Sequence, residues 1–128
     1  YVMAVYLAPV YFPQSQPQEL KHPEDYPDLV GRYSLQLQYM GFRRAILSST
    51  REMVDIDPLA EYEAVGETGI PILLIWGEDD HLIPEERIEN VRSALGLESV
   101  AVIEDAGHSP IFDQPDEVME ILLGFLGE

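Results

Sequence analysis

Cysteine is absent from this chain, which at once removes disulfides, thiol nucleophiles and thiolate zinc sites. That absence fits a reducing compartment, and no basic start followed by an apolar signal segment is present, so a cytoplasmic location is expected. Basic residues are scarce, 7 Lys and Arg against 24 Asp and Glu, for a formal charge of −17. Such a surface lacks the clustered cations that neutralise phosphates, so nucleic acid is a poor partner. Long apolar runs are missing too. The longest, Tyr1 to Phe12, is interrupted by Pro9 and falls short of the ~18–20 residues of a membrane span, so none is expected. An initiator Met is also lacking, since Tyr1 stands first, and the expectation is a chain whose gene begins further upstream. With 128 residues the sequence bounds one domain or part of one. A hydrophobic content of 46% and a mean hydropathy of −0.07 leave enough to bury for folding despite the charge.

The acidity is unevenly placed. Residues 1–51 hold five basic residues against four acidic, whereas residues 52–128 hold only Arg87 and Arg92 against twenty acids. In the first part Pro13, Pro17, Pro23 and Pro27 make residues 13–25 irregular. From Asp28 the apolar positions Leu29, Val30, Tyr33, Leu37 and Met40 recur at helical spacing, with a kink expected at Gly41 before the pattern resumes through Leu47. Pro58 opens a shorter helix that fades at Gly66. Beyond Pro71 the character changes. Ile72 to Trp76 is a continuous apolar run closed by Gly77, as in a parallel strand covered on both faces. A helix from Pro84 to Leu95 ends at Gly96, Val100 to Ile103 forms a second strand, and a loop runs from Glu104 to Pro110. Pro115 starts a last helix with Val118, Ile121, Leu122, Phe125 and Leu126 on one face. Strand, helix, strand, helix implies an α/β fold with two parallel strands. Two parallel strands alone leave open edges, so the sheet is expected to be completed by an amino-terminal half or by self-association of copies through that edge.

Two loops carry the chemistry. Gly77-Glu78-Asp79-Asp80-His81 follows the first strand, and Asp105-Ala106-Gly107-His108-Ser109-Pro110 follows the second. Both leave the carboxyl ends of parallel strands, where open α/β sheets place ligands, so an acid and an imidazole distant in sequence can meet there. A buried carboxylate bonded to His108 Nδ1 would fix its tautomer and leave Nε2 to deprotonate a nucleophile. Glu78 and Asp79 are alternative acids to Asp80, and Glu78, Asp79, Asp80 and His81 together offer oxygen and imidazole donors to a cation, although one functional acid among solvated neighbours is the commoner reading.

The two segments Pro71 to Pro84 and Ala106 to Pro115, with a last helix ending Gly124-Phe125-Leu126, resemble the acid strand, histidine loop and final helix of the α/β-hydrolase family. The resemblance implies Asp80 as triad acid and His108 as triad base, no cofactor, no metal, and a small ester or similar acyl molecule as substrate. Residues 26–53 resemble more loosely the helical lid. Residues 1–68 are therefore expected to be a lid segment, and residues 69–128 the carboxyl-terminal part of the hydrolase core. The family's nucleophile motif Gly-x-Ser-x-Gly is absent from this sequence. The expectation is thus a serine esterase whose nucleophile lies upstream of Tyr1, the chain alone being inactive.

Two rival readings keep the same residues. An upstream Asp nucleophile would make the scaffold resemble haloalkane dehalogenases or epoxide hydrolases, with His108 activating water. A non-catalytic interaction fragment would need neither side chain, and the presence of both Asp80 and His108 weighs against it. His22 and His81 have no comparable context and are expected to be exposed; Arg43 and Arg44 read as a solvated helix face. Tyr33, Tyr39, Met40 and Phe42 either line a pocket or pack helices.

Overall fold

The computed structural model describes residues 13–55 and 58–127. They form two compact units, residues 13–18 with 23–55, and residues 19–22 with 58–127. The run Tyr1 to Phe12 lies outside the described residues.

In the first unit the proline-rich stretch is organised into 3-10 turns, including Pro23–Asp25. Helix α1 follows at Leu29–Gln36 and α2 at Met40–Asp55. The helical stripe thus breaks at residues 37–39 and not at Gly41, which sits in the first turn of α2. Gln38 N and Tyr39 N bond back to Leu35 O and Gln36 O, the tight pattern that closes a helix. Leu37, only 2% exposed, is the deepest residue of the stripe, and the chain turns directly after it. Tyr33 and Phe42 pack edge to face across α1 and α2, with ring centroids 5.9 Å apart.

The second unit begins its regular structure with α3 at Pro58–Gly66. Strand β1 is Ile75–Gly77, α4 is Glu85–Ala94, and β2 is Ala101–Ile103. A short helix α5, Pro110–Asp113, precedes α6, Pro115–Gly127. β1 and β2 pair in parallel with Ile75 opposite Ala101 and Gly77 opposite Ile103. The expected strand from Ile72 is therefore shorter. A ladder extends only as far as its partner, and Leu74 O, bonded to Ala101 N, is the last backbone group before the register begins. Residues 72–76 are also half-buried, not enclosed on both faces. Helix α4 ends at Gly96 as its sequence suggests: φ is +69°, and Leu97 N reaches back to Arg92 O.

The core of this unit gathers Ile103 and Ala106, both 0% exposed, and Val118 from α6, with Ile75 and Ile121 packed around them. Alternation along β2 decides this, since Val102, immediately before Ile103, points outward and is 45% exposed. Ile103→Ala is expected to lower unfolding free energy by about 2–5 kcal/mol. Val102→Ala one residue away should cost under about 1 kcal/mol. Urea denaturation of the two variants checks the contrast, and equal midpoints would contradict the assigned faces.

Candidate functional site

The ends of β1 and β2 continue into loops laced to each other by their backbones. Glu78 N donates to Ile103 O and Asp79 N to Ala106 O, each at 2.9 Å, while Asp80 N closes a turn onto Gly77 O at 3.1 Å. The approach is so close that a Cβ on Gly77 would come within 3.0 Å of the carbonyl oxygens of Ala106 and Gly107, so this position admits only glycine. Asp105 turns the second loop with φ of +53°, a left-handed conformation that Asp tolerates better than most residues. These constraints carry His108 toward the first loop.

Asp80 and His108 meet there. His108 Nδ1 lies 2.9 Å from Asp80 Oδ2, and the other oxygen, Oδ1, accepts the amides of Leu82 at 2.8 Å and Ile83 at 3.0 Å. The Asp80 side chain is 3% exposed and that of His108 37%. Burial pushes the Asp80 carboxyl upward, but the hydrogen bond with His108 and the amides of Ile83 and Leu82 outweigh it, so the group sits below the ordinary carboxylate range. An ionised carboxylate only accepts, so Nδ1 carries the proton and donates it. Among the described residues Nε2 has no hydrogen-bond partner. The pair is therefore a buried acceptor, a fixed tautomer and a second ring nitrogen available to take a proton.

The other acids of the first loop face elsewhere. Asp79 Oδ2 is held by Lys21 Nζ at 2.7 Å, and Glu78 is exposed. His81 is exposed as expected. His22 departs from expectation, because its Nε2 stands 2.9 Å from Asp105 Oδ2 and its side chain is 31% exposed. Among the described residues no group of three or more Asp, Glu or His side chains is placed to hold a metal ion. No described helix is long and apolar enough to cross a membrane. Tyr39 and Met40 are exposed at 68% and 57%. Arg43 departs from the solvated reading, since its Nε is buried and has no hydrogen-bond partner among the described residues, while Arg44 is exposed.

Sequence reasoning missed the short strap Glu19–His22 and the residue that holds it, Asp113. The carboxylate of Asp113 accepts the amide of Lys21 at 2.9 and 3.0 Å, that of His22 at 3.0 Å and that of Gly107 at 2.8 Å. Ser109 N in turn donates to Glu19 O at 3.1 Å. The strap and Asp113 are 92 residues apart in sequence, and backbone amides carry no residue identity, so no motif announces this contact.

A model of the Alpha/beta hydrolase family matches residues 2–121. The chain belongs to that family, and its fold is the helix-rich α/β class with a small parallel sheet. It is similar over 56 residues, at 29% identity, to Lipase 1 of Psychrobacter immobilis, a stretch that is 44% of this chain and 18% of that protein. Over 65 residues it is 23% identical to monoacylglycerol lipase ABHD6 of Mus musculus, covering 51% of this chain and 19% of that one. Among solved structures, 2-hydroxy-6-oxo-6-phenylhexa-2,4-dienoate hydrolase of Rhodococcus sp. strain RHA1 superposes with a TM-score of 0.71 at 17% identity, over 98% of this chain and 47% of its own. The matched stretches thus span less than a fifth of the two lipases and about half of the structural neighbour.

The depressed Asp80 carboxyl has a consequence for acid stability. Its folded-state value lies below the ordinary 3.8, so in the window just under 3.8 the unfolded chain binds more protons than the folded one, and stability falls with falling pH. Asp80→Asn should flatten that acid limb, with the gap between wild type and variant largest above pH 3.8 and closing below it. Unfolding free energies from pH 2 to 6 measure this; an unchanged limb in the variant would refute the assignment.

Proposed function

We propose that this chain supplies the general base and its orienting acid to a hydrolase acting on a small carboxylic ester, with a serine nucleophile carried outside the present sequence. The observation that carries this reading is the 2.9 Å bond between His108 Nδ1 and the buried Asp80 carboxylate, with Nε2 unengaged among the described residues. His108 Nε2 takes the proton of the serine hydroxyl as its oxygen attacks the ester carbonyl. The resulting imidazolium is stabilised by Asp80 and returns the proton to the departing alcohol as the acyl-enzyme forms. Water then repeats the sequence: His108 removes its proton, the oxygen attacks the acyl carbon, and the proton returns to serine as the acid leaves. This chemistry calls on no cofactor or metal. Membership of the family and the lipase names of the partial relatives support the ester class. In the same reading residues 1–68 are a helical lid and residues 69–128 the carboxyl-terminal part of the core, whose two-stranded sheet pairs with strands of an upstream half.

His108→Ala in the intact protein should abolish turnover of a short activated ester, and Asp80→Asn should cost on the order of 10⁴-fold in kcat through loss of the correct tautomer. Near-normal rates in either variant would refute the dyad's role. A fluorophosphonate probe should label one serine outside these 128 residues, located by peptide mass spectrometry. Labelling that fails, with oxygen-18 from water appearing in an upstream Asp carboxylate after a single turnover, would transfer the same base to a carboxylate nucleophile.

A further inference from the structure

We infer that Asp113 is a positioning residue for His108, acting through the backbone strap Glu19–His22 that it clamps onto the histidine loop. The inference rests on the reading of His108 as general base. One half-buried carboxylate here serves three amides from two segments, Lys21 and His22 on the strap and Gly107 immediately before His108. The strap is then bound on both sides of the imidazole's own residue. Gly107 lies under it so tightly that an added Cβ would meet Glu19 O and Lys21 N at 3.0 Å, and Ser109 N bonds Glu19 O at 3.1 Å. Leu20, 9% exposed, anchors the strap by burial. Two further side chains of the strap reach the neighbouring acids: Lys21 Nζ takes Asp79 beside Asp80, and His22 takes Asp105 at the start of the histidine loop.

Three amides from two segments thus converge on one pair of oxygens, and the loop carrying His108 has little freedom left to swing its ring away from Asp80. The imidazole itself is 37% exposed and is held by side-chain packing less than by the backbone on which it stands. An asparagine at position 113 has the same shape but one acceptor oxygen and a donating NH₂. It cannot serve both the Gly107 amide on Oδ2 and the His22 amide on Oδ1, so one amide is left facing a donor.

The test uses the intact protein with Asp113→Asn, assayed per folded molecule on a short activated ester and by proton NMR of the His108 Nδ1–H, identified by its disappearance in His108→Ala. The expected result is a fall in kcat of at least tenfold, in the range reaching about 10²-fold that small misplacements produce, with KM within about twofold. The Nδ1–H resonance should move upfield or broaden as its bond to Asp80 loosens. A resonance that keeps its position and width overturns the inference whatever the activity does, because a merely structural clamp would lower stability and leave the dyad intact. A smaller loss in kcat also overturns it. If Asp113→Asn does not fold, Gly107→Ala is read by the same two criteria, since its methyl displaces the strap and Gly107 is not in the left-handed region. His108→Ala and Asp80→Asn that retain turnover would defeat the base reading instead, while the resonance would still report whether Asp113 holds the ring.

Discussion

A carboxylate removed from water has to be bonded at every oxygen it buries, and Asp80 meets that demand with three donors. Two are amides of its own loop, Leu82 and Ile83, and the third is the ring of His108. The amides cost nothing to recruit, because the turn that follows β1 already points them inward. The third donor has to come from a segment 28 residues away. Satisfying one buried charge therefore fixes the relative position of two loops, and this is a structural requirement before it is a chemical one.

Backbone geometry meets the requirement at close quarters. β1 and β2 are three residues each, too short to hold their trailing loops in register by ladder bonds alone. The lacing continues past the strands through Glu78 N to Ile103 O and Asp79 N to Ala106 O. That continuation is possible only because Gly77 has no side chain to separate the loops, and because Ala106, fully buried, is small enough to sit beneath them. Ile103 ties the same spot to the core through Val118 of α6. His108 and the hydrophobic centre of the unit thus share one short stretch of β2 and its loop, with Asp80 laced against it from the loop after β1, which is why a substitution here would disturb packing and site together.

Much of this was legible in the sequence for definite reasons. Proline at the start of α3, just before α4 and at the start of α6, and Gly96 after α4, punctuate the chain as local chemistry dictates. The family resemblance singled out Asp80 over Asp79; in the structure Asp80 lies against the ring of His108 and Asp79 against Lys21. What was not legible depends on partners remote in sequence. Residues Ile72 to Leu74 have the composition of a strand, but a ladder is a property of pairs, and β2 is too short to extend it. The break after Leu37 follows the burial of one side chain, which periodicity alone does not rank. His22 and Arg43 looked like surface residues because neither Asp105 nor the packing around a guanidinium is written near them in the chain.

The strap shows which kinds of contact can hold such an arrangement. Its most conspicuous feature is the ion pair of Lys21 with Asp79, yet both side chains are more than 30% exposed, and an exposed pair is screened by salt and opposed by the entropy of a long lysine chain. That pair neutralises one acid in a strongly acidic neighbourhood but is too weak to fix a backbone. The amides on Asp113 differ in kind: they belong to main chain that is already ordered, their acceptor is a carboxylate, and all lie within 2.8–3.0 Å of its oxygens. Leu20 adds an apolar anchor that salt does not weaken. High ionic strength should therefore loosen the lysine and leave the strap seated, and the histidine loop beneath it keeps its shape because it is held by main-chain hydrogen bonds and burial.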